Sequence, residues 1–198
     1  MDSLWNAVEY PLISDSKSIS ITYSSLKSVE EICSYLEKTF TPSELEEITG
    51  DVCTQPSSYT ISRIPLNQLI LRMQHPNYLK IIDGKLFESH IQPIVNSSEG
   101  NVFGYEFLLR SRVEQYPFYP GELFSFAQRS GLQSKLDSQC RINAIRTSSE
   151  LLGQGIKRFI NFLPSSIYEP EHCLKTTFQA VEMYRITSTT AKLRKDGS

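Results

Sequence analysis

Apolar positions in the first part of the chain recur at helical spacing and predict three amphipathic helices. The first helix begins after Ser25, a candidate N-cap, and Thr41-Pro42 begins a second that ends near Gly50. Leu66, Leu69, Ile70 and Met73 form the stripe of a third short helix. The segment 51–63 is rich in Ser, Thr, Gln and Pro and predicts a loop.

After the turn at Asp83-Gly84 the pattern changes to strand, strand, helix, helix, strand, helix. Two apolar runs, 86–95 and 102–109, flank a polar turn and predict a hairpin. The run 158–163 is continuous and apolar, which is typical of a buried parallel strand. We therefore expect a mainly helical region over 1–82 and an α/β region over 83–198, the latter arranged as the start of a barrel.

Composition restricts the classes of partner. The chain has 20 Lys and Arg against 22 Asp and Glu, a formal charge of -2, so no long nucleic acid is expected as a partner. Four cysteines lie far apart, without the spacing of a zinc finger or a disulfide scaffold. The sequence has neither a signal-peptide pattern nor an apolar run of membrane-span length. We expect a soluble protein of the cytoplasm.

Three motifs in the second region occur in a recognisable order. Ile91-Gln92-Pro93-Ile94-Val95 precedes Gly104-Tyr105-Glu106-Phe107-Leu108-Leu109-Arg110, and both resemble the opening strands of EAL domains. Phe107 stands where that family has Ala. Pro120 and the stretch Ala127 to Leu132 match the next helix of the family, and Asn161-Phe162-Leu163-Pro164 matches its Asn-x-x-Pro strand end.

The resemblance implies a barrel of the TIM type whose first strand is antiparallel to its neighbours, and a metal-dependent hydrolysis of cyclic di-GMP to linear pGpG. It places Glu106 and Asn161 in a divalent-metal site at one rim of the barrel, and Gln92 and Arg110 beside the dinucleotide. Oxygen ligands of this kind suit Mg²⁺ or Mn²⁺. A guanidinium such as that of Arg110 can pair with phosphate oxygens.

Each of these residues also has an ordinary structural interpretation. Glu106 could pair with Arg110 near the strand end, and Asn161 could be a turn or helix-cap residue, with Pro164 closing the turn. Gln92 and Arg110 could simply hold neighbouring strands together.

The sequence also indicates where the resemblance stops. A complete barrel takes roughly 250 residues, and the family continues with strands that carry Glu, Asp-Asp, Lys and a further Glu. The tail 186–198 is polar and basic and predicts no strand. We therefore expect a truncated domain of about three strands, inactive as given, with an unpaired sheet edge through which it could form homo-oligomers.

A second hypothesis belongs to a different class of function. In it the chain is a non-catalytic regulatory or interaction module derived from an EAL domain, in which residues 1–82 bind a partner and the partial domain is a docking surface.

Overall fold

The structure, a computed structural model, describes residues 12–14, 19–52, 63–166, 169–186 and 191–195. The chain divides into two compact units, Met1–Pro76 and Asn77–Ser198. This division lies six residues before the one expected from the sequence, at 76 instead of 82. Within the described ranges, every helix is too short or too polar to span a lipid bilayer.

Helix caps and an apolar cluster organise the first unit. The side chain of Ser25 accepts a hydrogen bond from the Ser28 N–H at 3.1 Å and caps the first helix. Thr41 and Glu44 form a reciprocal capping box at the second. The elements are β1 (Leu12–Ser14), β2 (Ile19–Ile21), α1 (Leu26–Thr39), α2 (Pro42–Glu47), β3 (Thr49–Gly50), β4 (Ile64–Pro65) and α3 (Leu66–Gln74).

The three helices of this unit pack around one apolar cluster, whose buried members are Val29, Cys33, Leu36, Leu45, Leu66 and Ile70. The predicted helical stripes are thereby confirmed. Most of the segment predicted as a loop, 53–62, lies outside the described residues.

The second unit follows the predicted alternation of strands and helices. Its elements, with the helix that begins at the unit boundary, are α4 (Pro76–Asp83), β5 (Phe87–Val95), β6 (Val102–Ser111), α5 (Pro120–Arg129), α6 (Gln133–Leu151), β7 (Arg158–Phe162), the 3-10 turn η1 (Pro164–Ser166), α7 (Pro170–Cys173), α8 (Lys175–Met183) and β8 (Ala191–Lys195). Pro at the first turn of α5 and the positive φ of Gly131 after its end explain its two bounds.

One sheet with the order β5-β6-β7-β8 forms the centre of this unit. β5 is antiparallel to β6, whereas β6, β7 and β8 are parallel to one another. In the described residues the sheet is open and does not close into a barrel. This is the strand arrangement expected for the beginning of the barrel, so the predicted fold class is confirmed.

The tail corrects one part of the expectation. Its polarity predicted no strand, but Ala191–Lys195 form β8 and pair in parallel with β7 over five residues. Backbone N–H and C=O groups make this ladder, and they are the same in every non-proline residue. The sheet therefore has four described strands where the sequence predicted about three.

The two faces of the sheet differ sharply. Phe107 and Ile160 lie on one face and pack against α6 and α8 in a buried cluster, whose other members are Ala144, Ile145, Ala180, Val181 and Ile186. The residues that alternate with them lie on the opposite face. That opposite face carries the candidate site.

Candidate functional site

Strand register brings three of the four candidate residues to the same face of the β5–β6 hairpin. Gln92 lies directly opposite Glu106, and Glu88 lies directly opposite Arg110. Residues directly opposite each other in an antiparallel pair share a face, as do residues two or four apart along one strand. Gln92, Glu106 and Arg110 therefore line one face, away from the apolar cluster around Phe107.

The fourth candidate, Asn161, reaches the same face from the neighbouring parallel strand. Glu106 is in register with Phe159, and Asn161 follows two residues later. The side-chain amide of Asn161 donates a hydrogen bond from Nδ2 to Oε1 of Glu106 at 2.7 Å. The structure thus joins the two predicted metal ligands, which are 55 residues apart in sequence.

The position of Glu106 along its strand differs from the prediction. The apolar run 102–109 puts Glu106 in the second half of the predicted strand, and the resemblance puts it at the rim, but β6 extends over ten residues, Val102–Ser111, and Glu106 is near its middle. Asn161 lies one residue before the end of β7, as expected. Because Phe159 is in register with Glu106, Asn161 lies two residues further along β7 on the same face, within hydrogen-bond distance of Glu106.

A glycine makes this close approach possible. A Cβ atom at Gly104 would lie 2.7 Å from Cε2 of Phe159 and 2.8 Å from the backbone oxygen of Lys157. That same Lys157 oxygen accepts a hydrogen bond from the N–H of Tyr105 at 3.0 Å. The glycine of the Gly-Tyr-Glu motif therefore has a packing role: it lets the start of β7 approach β6 beside Glu106.

The other amide atom of Asn161 is the site's least satisfied group. Its Oδ1 is buried and has no hydrogen-bond partner among the described residues. Buried polar atoms of native proteins nearly always have partners, so this oxygen is a candidate ligand for an ion or a water. It lies on the same side chain that contacts the Glu106 carboxylate.

These oxygens fit a hard divalent cation. Carboxylate and amide oxygens are suitable ligands for Mg²⁺, which commonly keeps several waters and binds through one or two protein carboxylates together with substrate phosphates. In the described part of the chain there is no cluster of three or more His, Cys, Asp and Glu side chains that could hold a metal by itself.

Gln92 and Arg110 lie at different distances from the ligand pair. Gln92 is exposed directly opposite Glu106. Arg110 is exposed four residues further along β6, which is about 13 Å in an extended strand, and its Nη1 donates to the Leu109 carbonyl at 2.7 Å. A ligand that contacts both residues would have to extend along this face.

A buried network behind the site was not anticipated from the sequence. On α6, Asp137 and Arg141 are both 2% exposed and form an ion pair. Oδ1 of Asp137 accepts a hydrogen bond from the Leu163 N–H at 3.0 Å, two residues beyond Asn161. The only signal in the sequence is that these charges lie four residues apart on the helical stripe that continues through Ala144, Ile145 and Ser148.

Comparison with protein families identifies one matching family. The family model described as "EAL domain" matches residues 76–190, more than half of the chain. No curated protein matches the chain.

Among solved structures, the chain resembles the Xanthomonas citri FimX EAL domain in complex with c-di-GMP, at 19% identity, a TM-score of 0.53, and coverage of 63% of this chain and 49% of that one. It also resembles the Pseudomonas aeruginosa FimX EAL domain bound to c-di-GMP, at 23% identity, a TM-score of 0.51, and coverage of 61% and 48%. A standalone versatile EAL protein from Vibrio cholerae O395, in its c-di-GMP bound form, is 32% identical, with coverage of 55% and 44% and a TM-score of 0.45. The chain thus spans about half the length of these proteins.

Proposed function

Because this chain belongs to the EAL domain family, we propose that its second region binds cyclic di-GMP on the polar face of the β5–β8 sheet, together with Mg²⁺ or Mn²⁺. The single observation that carries the proposal is the pair formed by Glu106 and Asn161, with its 2.7 Å hydrogen bond and its orphaned amide oxygen. The FimX EAL domains that share this fold were crystallised with c-di-GMP.

In this proposal Glu106 and Asn161 hold the cation through the carboxylate and Oδ1. When bound, the ion would polarise a phosphodiester and lower the pKa of bound water, which is the chemistry that metal-dependent hydrolysis needs. Phosphate oxygens of the dinucleotide would complete the coordination.

Gln92 and Arg110 are proposed to contact the dinucleotide itself. The Gln92 amide can exchange hydrogen bonds with a base or the backbone, and it lies directly across the strand pair from Glu106. The guanidinium of Arg110 can form a bidentate pair with phosphate oxygens. Its present partner is a neighbouring carbonyl, so a charged phosphate would be a stronger acceptor.

We propose further that the 198-residue chain binds cyclic di-GMP without hydrolysing it. Hydrolysis by two metal ions needs several carboxylates and an oriented water. The strand beside β7 consists of Ala191, Lys192, Leu193, Arg194 and Lys195, which contribute no carboxylate. In the backbone ladder, Arg194 is in register with Asn161.

Isothermal titration calorimetry of the 198-residue protein with cyclic di-GMP, with and without MgCl₂, tests binding. We expect binding that Mg²⁺ strengthens, and loss of affinity by about tenfold or more in Arg110→Ala and Gln92→Ala. Arg129→Ala and Gln128→Ala, which remove exposed side chains on helix α5, are the matched controls. Equal affinities in all four variants would count against the assigned contacts.

Chromatography of the nucleotide after prolonged incubation with Mn²⁺ tests turnover. We expect intact cyclic di-GMP. Appearance of linear pGpG at a rate proportional to enzyme, and abolished in Glu106→Gln, would overturn the proposal that this chain is inactive.

The alternative, an interaction module, is favoured by the separate compact unit Met1–Pro76. In that case cyclic di-GMP would give no heat of binding, and sedimentation would show a stable oligomer instead. Among the described residues β5 and β8 are the sheet edges, and edge strands with unpaired N–H and C=O groups are the surfaces through which we propose that copies associate.

A further inference from the structure

The carboxylate of Asp137 joins α6 to the segment that follows the candidate ligand Asn161. Its Oδ1 accepts from the N–H of Leu163 at 3.0 Å, and its Oδ2 accepts from the hydroxyl of Ser166. Asp137 and Ser166 are each 2% exposed. The buried carboxylate of Asp137 therefore accepts hydrogen bonds from both ends of the four-residue segment 163–166.

This segment needs such an anchor for a definite reason. The ladder between β7 and β8 ends at Phe162, so the N–H of Leu163 lies beyond the last strand pair. Pro164 follows and has no N–H of its own. Leu163 is half-buried, an N–H left there without an acceptor is costly, and the Asp137 carboxylate supplies the acceptor.

Arg141 holds the carboxylate in its place. Its guanidinium pairs with Asp137 one turn away on α6, and its Nε donates to Oγ1 of Thr177 on α8 at 3.0 Å. Its Nη2 also donates to the Cys173 carbonyl at 3.4 Å. Through Arg141, the acid is thus linked to two further helices, α7 and α8.

The hydrogen bond from the Leu163 N–H to Asp137 bears on the candidate site because Asn161 is only two residues before Leu163. The Asn161 side chain makes one hydrogen bond, to Glu106, and its Oδ1 has no partner in the described residues. Its direction is therefore set mainly by the backbone on either side, and the C-terminal side is held by Asp137.

We infer that Asp137 is a positioning residue that aims the Asn161 amide oxygen at the proposed cation by fixing the backbone at Leu163 and Ser166. The inference rests on the proposed function for its metal. Its structural half, the effect of Asp137 on the Asn161 amide, can be measured without any metal. Groups that orient metal ligands from behind typically change metal affinity by 10- to 100-fold when they are removed.

The test compares Asp137→Asn with Ile145→Val in the 198-residue protein. Asp137→Asn keeps the size of the side chain but removes the charge that accepts from Ser166 and Arg141. Ile145→Val removes a methylene from the buried face of the same helix. The apolar cluster around Ile145 includes no residue of the segment 163–166. Thermal unfolding followed by circular dichroism identifies a temperature at which both variants are folded, and the comparison is made there.

Two readouts are needed. The first is the ¹⁵N–¹H signal pair of the Asn161 side-chain amide without metal, assigned by its loss in Asn161→Ala. The second is the Mn²⁺ dissociation constant from electron paramagnetic resonance in the presence of cyclic di-GMP. We expect the Asn161 signals to move, and Mn²⁺ to bind about tenfold or more weakly, in Asp137→Asn but not in Ile145→Val.

The outcomes separate this inference from the proposed function. If Mn²⁺ does not bind the wild-type chain, the proposed function fails, and the amide signals alone decide: a shift in Asp137→Asn supports positioning and an unchanged signal overturns it. If Mn²⁺ binds equally well to wild type and Asp137→Asn, the inference is overturned while the proposed function stands.

If Asp137→Asn does not fold, Ser166→Ala replaces it. This variant removes the hydrogen bonds that the Ser166 hydroxyl donates to Asp137 and to the Leu163 carbonyl, and it leaves the Asp137–Arg141 pair and the bond from the Leu163 N–H to Asp137 in place. A shift of the Asn161 signals in the same direction, smaller in size, supports the inference, and unchanged signals overturn it.

Discussion

At the scale of single residues, the two polar atoms of the Asn161 amide differ in their hydrogen bonding. Its nitrogen donates to Glu106, and its buried oxygen accepts no hydrogen bond from a donor in the described ranges. The energetic cost of an unsatisfied buried oxygen is about 1–3 kcal/mol. A bound cation would recover that cost, which is why the same atom argues for a ligand.

Asn161→Asp tests this argument through stability. The new carboxylate cannot donate to Glu106, so without metal we expect the free energy of unfolding of the second unit to fall by about 1–3 kcal/mol at neutral pH. Added Mn²⁺ should then stabilise the variant more than it stabilises the wild type, because two carboxylates bind the ion. Urea unfolding with and without MnCl₂ measures both effects.

A matched control exists in the hairpin turn. Asn101 also donates from Nδ2 to a carboxylate, that of Glu99 at 2.8 Å, but the pair is exposed. Asn101→Asp should change stability by less than about 0.5 kcal/mol and should not respond specifically to Mn²⁺. A variant at Asn161 that behaved like this control would show that the pair is an ordinary surface contact.

Cys33 gives a residue-scale prediction for the first unit. Burial, with added repulsion from Glu37 and Glu30, raises the pKa of its thiol from 9.0 to about 11. Because the folded state favours the neutral thiol of Cys33, the contribution of this thiol to the free energy of unfolding is fully present below pH 9. That contribution is lost as the pH rises from about 9 to about 11. In Cys33→Ala that part of the pH dependence should be absent.

Unfolding by urea at several pH values between 8 and 11 measures this difference between wild type and Cys33→Ala. Alkylation gives a second check, since the thiolate is the reactive form. Iodoacetamide should label the half-buried Cys140 and Cys173 of the native protein at pH 8 before it labels Cys33. Parallel pH profiles in the two proteins would contradict the raised pKa.

At the scale of secondary-structure elements, the junction of β6 and β7 depends on the absence of a side chain at Gly104. Gly104→Val should prevent the Lys157 carbonyl from reaching Tyr105 and should separate Glu106 from Asn161, because a Cβ would lie 2.8 Å from that carbonyl. Forcing extra atoms into a packed contact typically costs about 1–3 kcal/mol. Thermal unfolding and the Asn161 amide signals measure the two effects.

Gly153→Ala is the control for this substitution. A Cβ at Gly153 would have nothing within 4 Å, so we expect unchanged strand pairing and a stability within about 0.5 kcal/mol of the wild type. Equal loss of stability in both variants would indicate that glycine matters here for reasons other than the close approach.

The same elements show what the sequence could and could not predict. The bounds of α1 and α5 followed from local chemistry, namely the Ser25 cap at one and the proline start of the other. β8 was missed because only Ala191 and Leu193 of its five residues are apolar, and its pairing uses backbone atoms that no side-chain pattern reveals.

The candidate site likewise has residues that the sequence indicated and a residue that it did not. The family resemblance singled out Glu106, Gln92 and Arg110 as site residues, and the strand register brings these three to one face of the hairpin. The role of Asp137 could not be predicted, because its partners Leu163 and Ser166 are 26 and 29 residues away and approach α6 only through the fold. Close approaches between distant loops leave no local pattern in a sequence.

At the scale of the whole molecule, the proposed site lies entirely within the second of the two compact units. A ligand that binds only the folded form raises its stability by about 2.7 kcal/mol at a concentration of 100 times the dissociation constant. If the two units open independently, that gain should be confined to the unit that binds. Ligand-induced protection is therefore a test of both the site and the division of the chain.

Hydrogen–deuterium exchange followed by mass spectrometry measures this protection peptide by peptide. With saturating cyclic di-GMP and Mg²⁺ we expect slower exchange in β5, β6 and β7 and no change in α1 and α3, because opening free energies are local to cooperative units. Cyclic di-AMP and the Arg110→Ala variant serve as controls that should show little protection. Protection that extended equally through Leu26–Thr39 would mean that ligand binding is coupled to the first unit, and the region 1–82 would then have to be treated as part of the binding response.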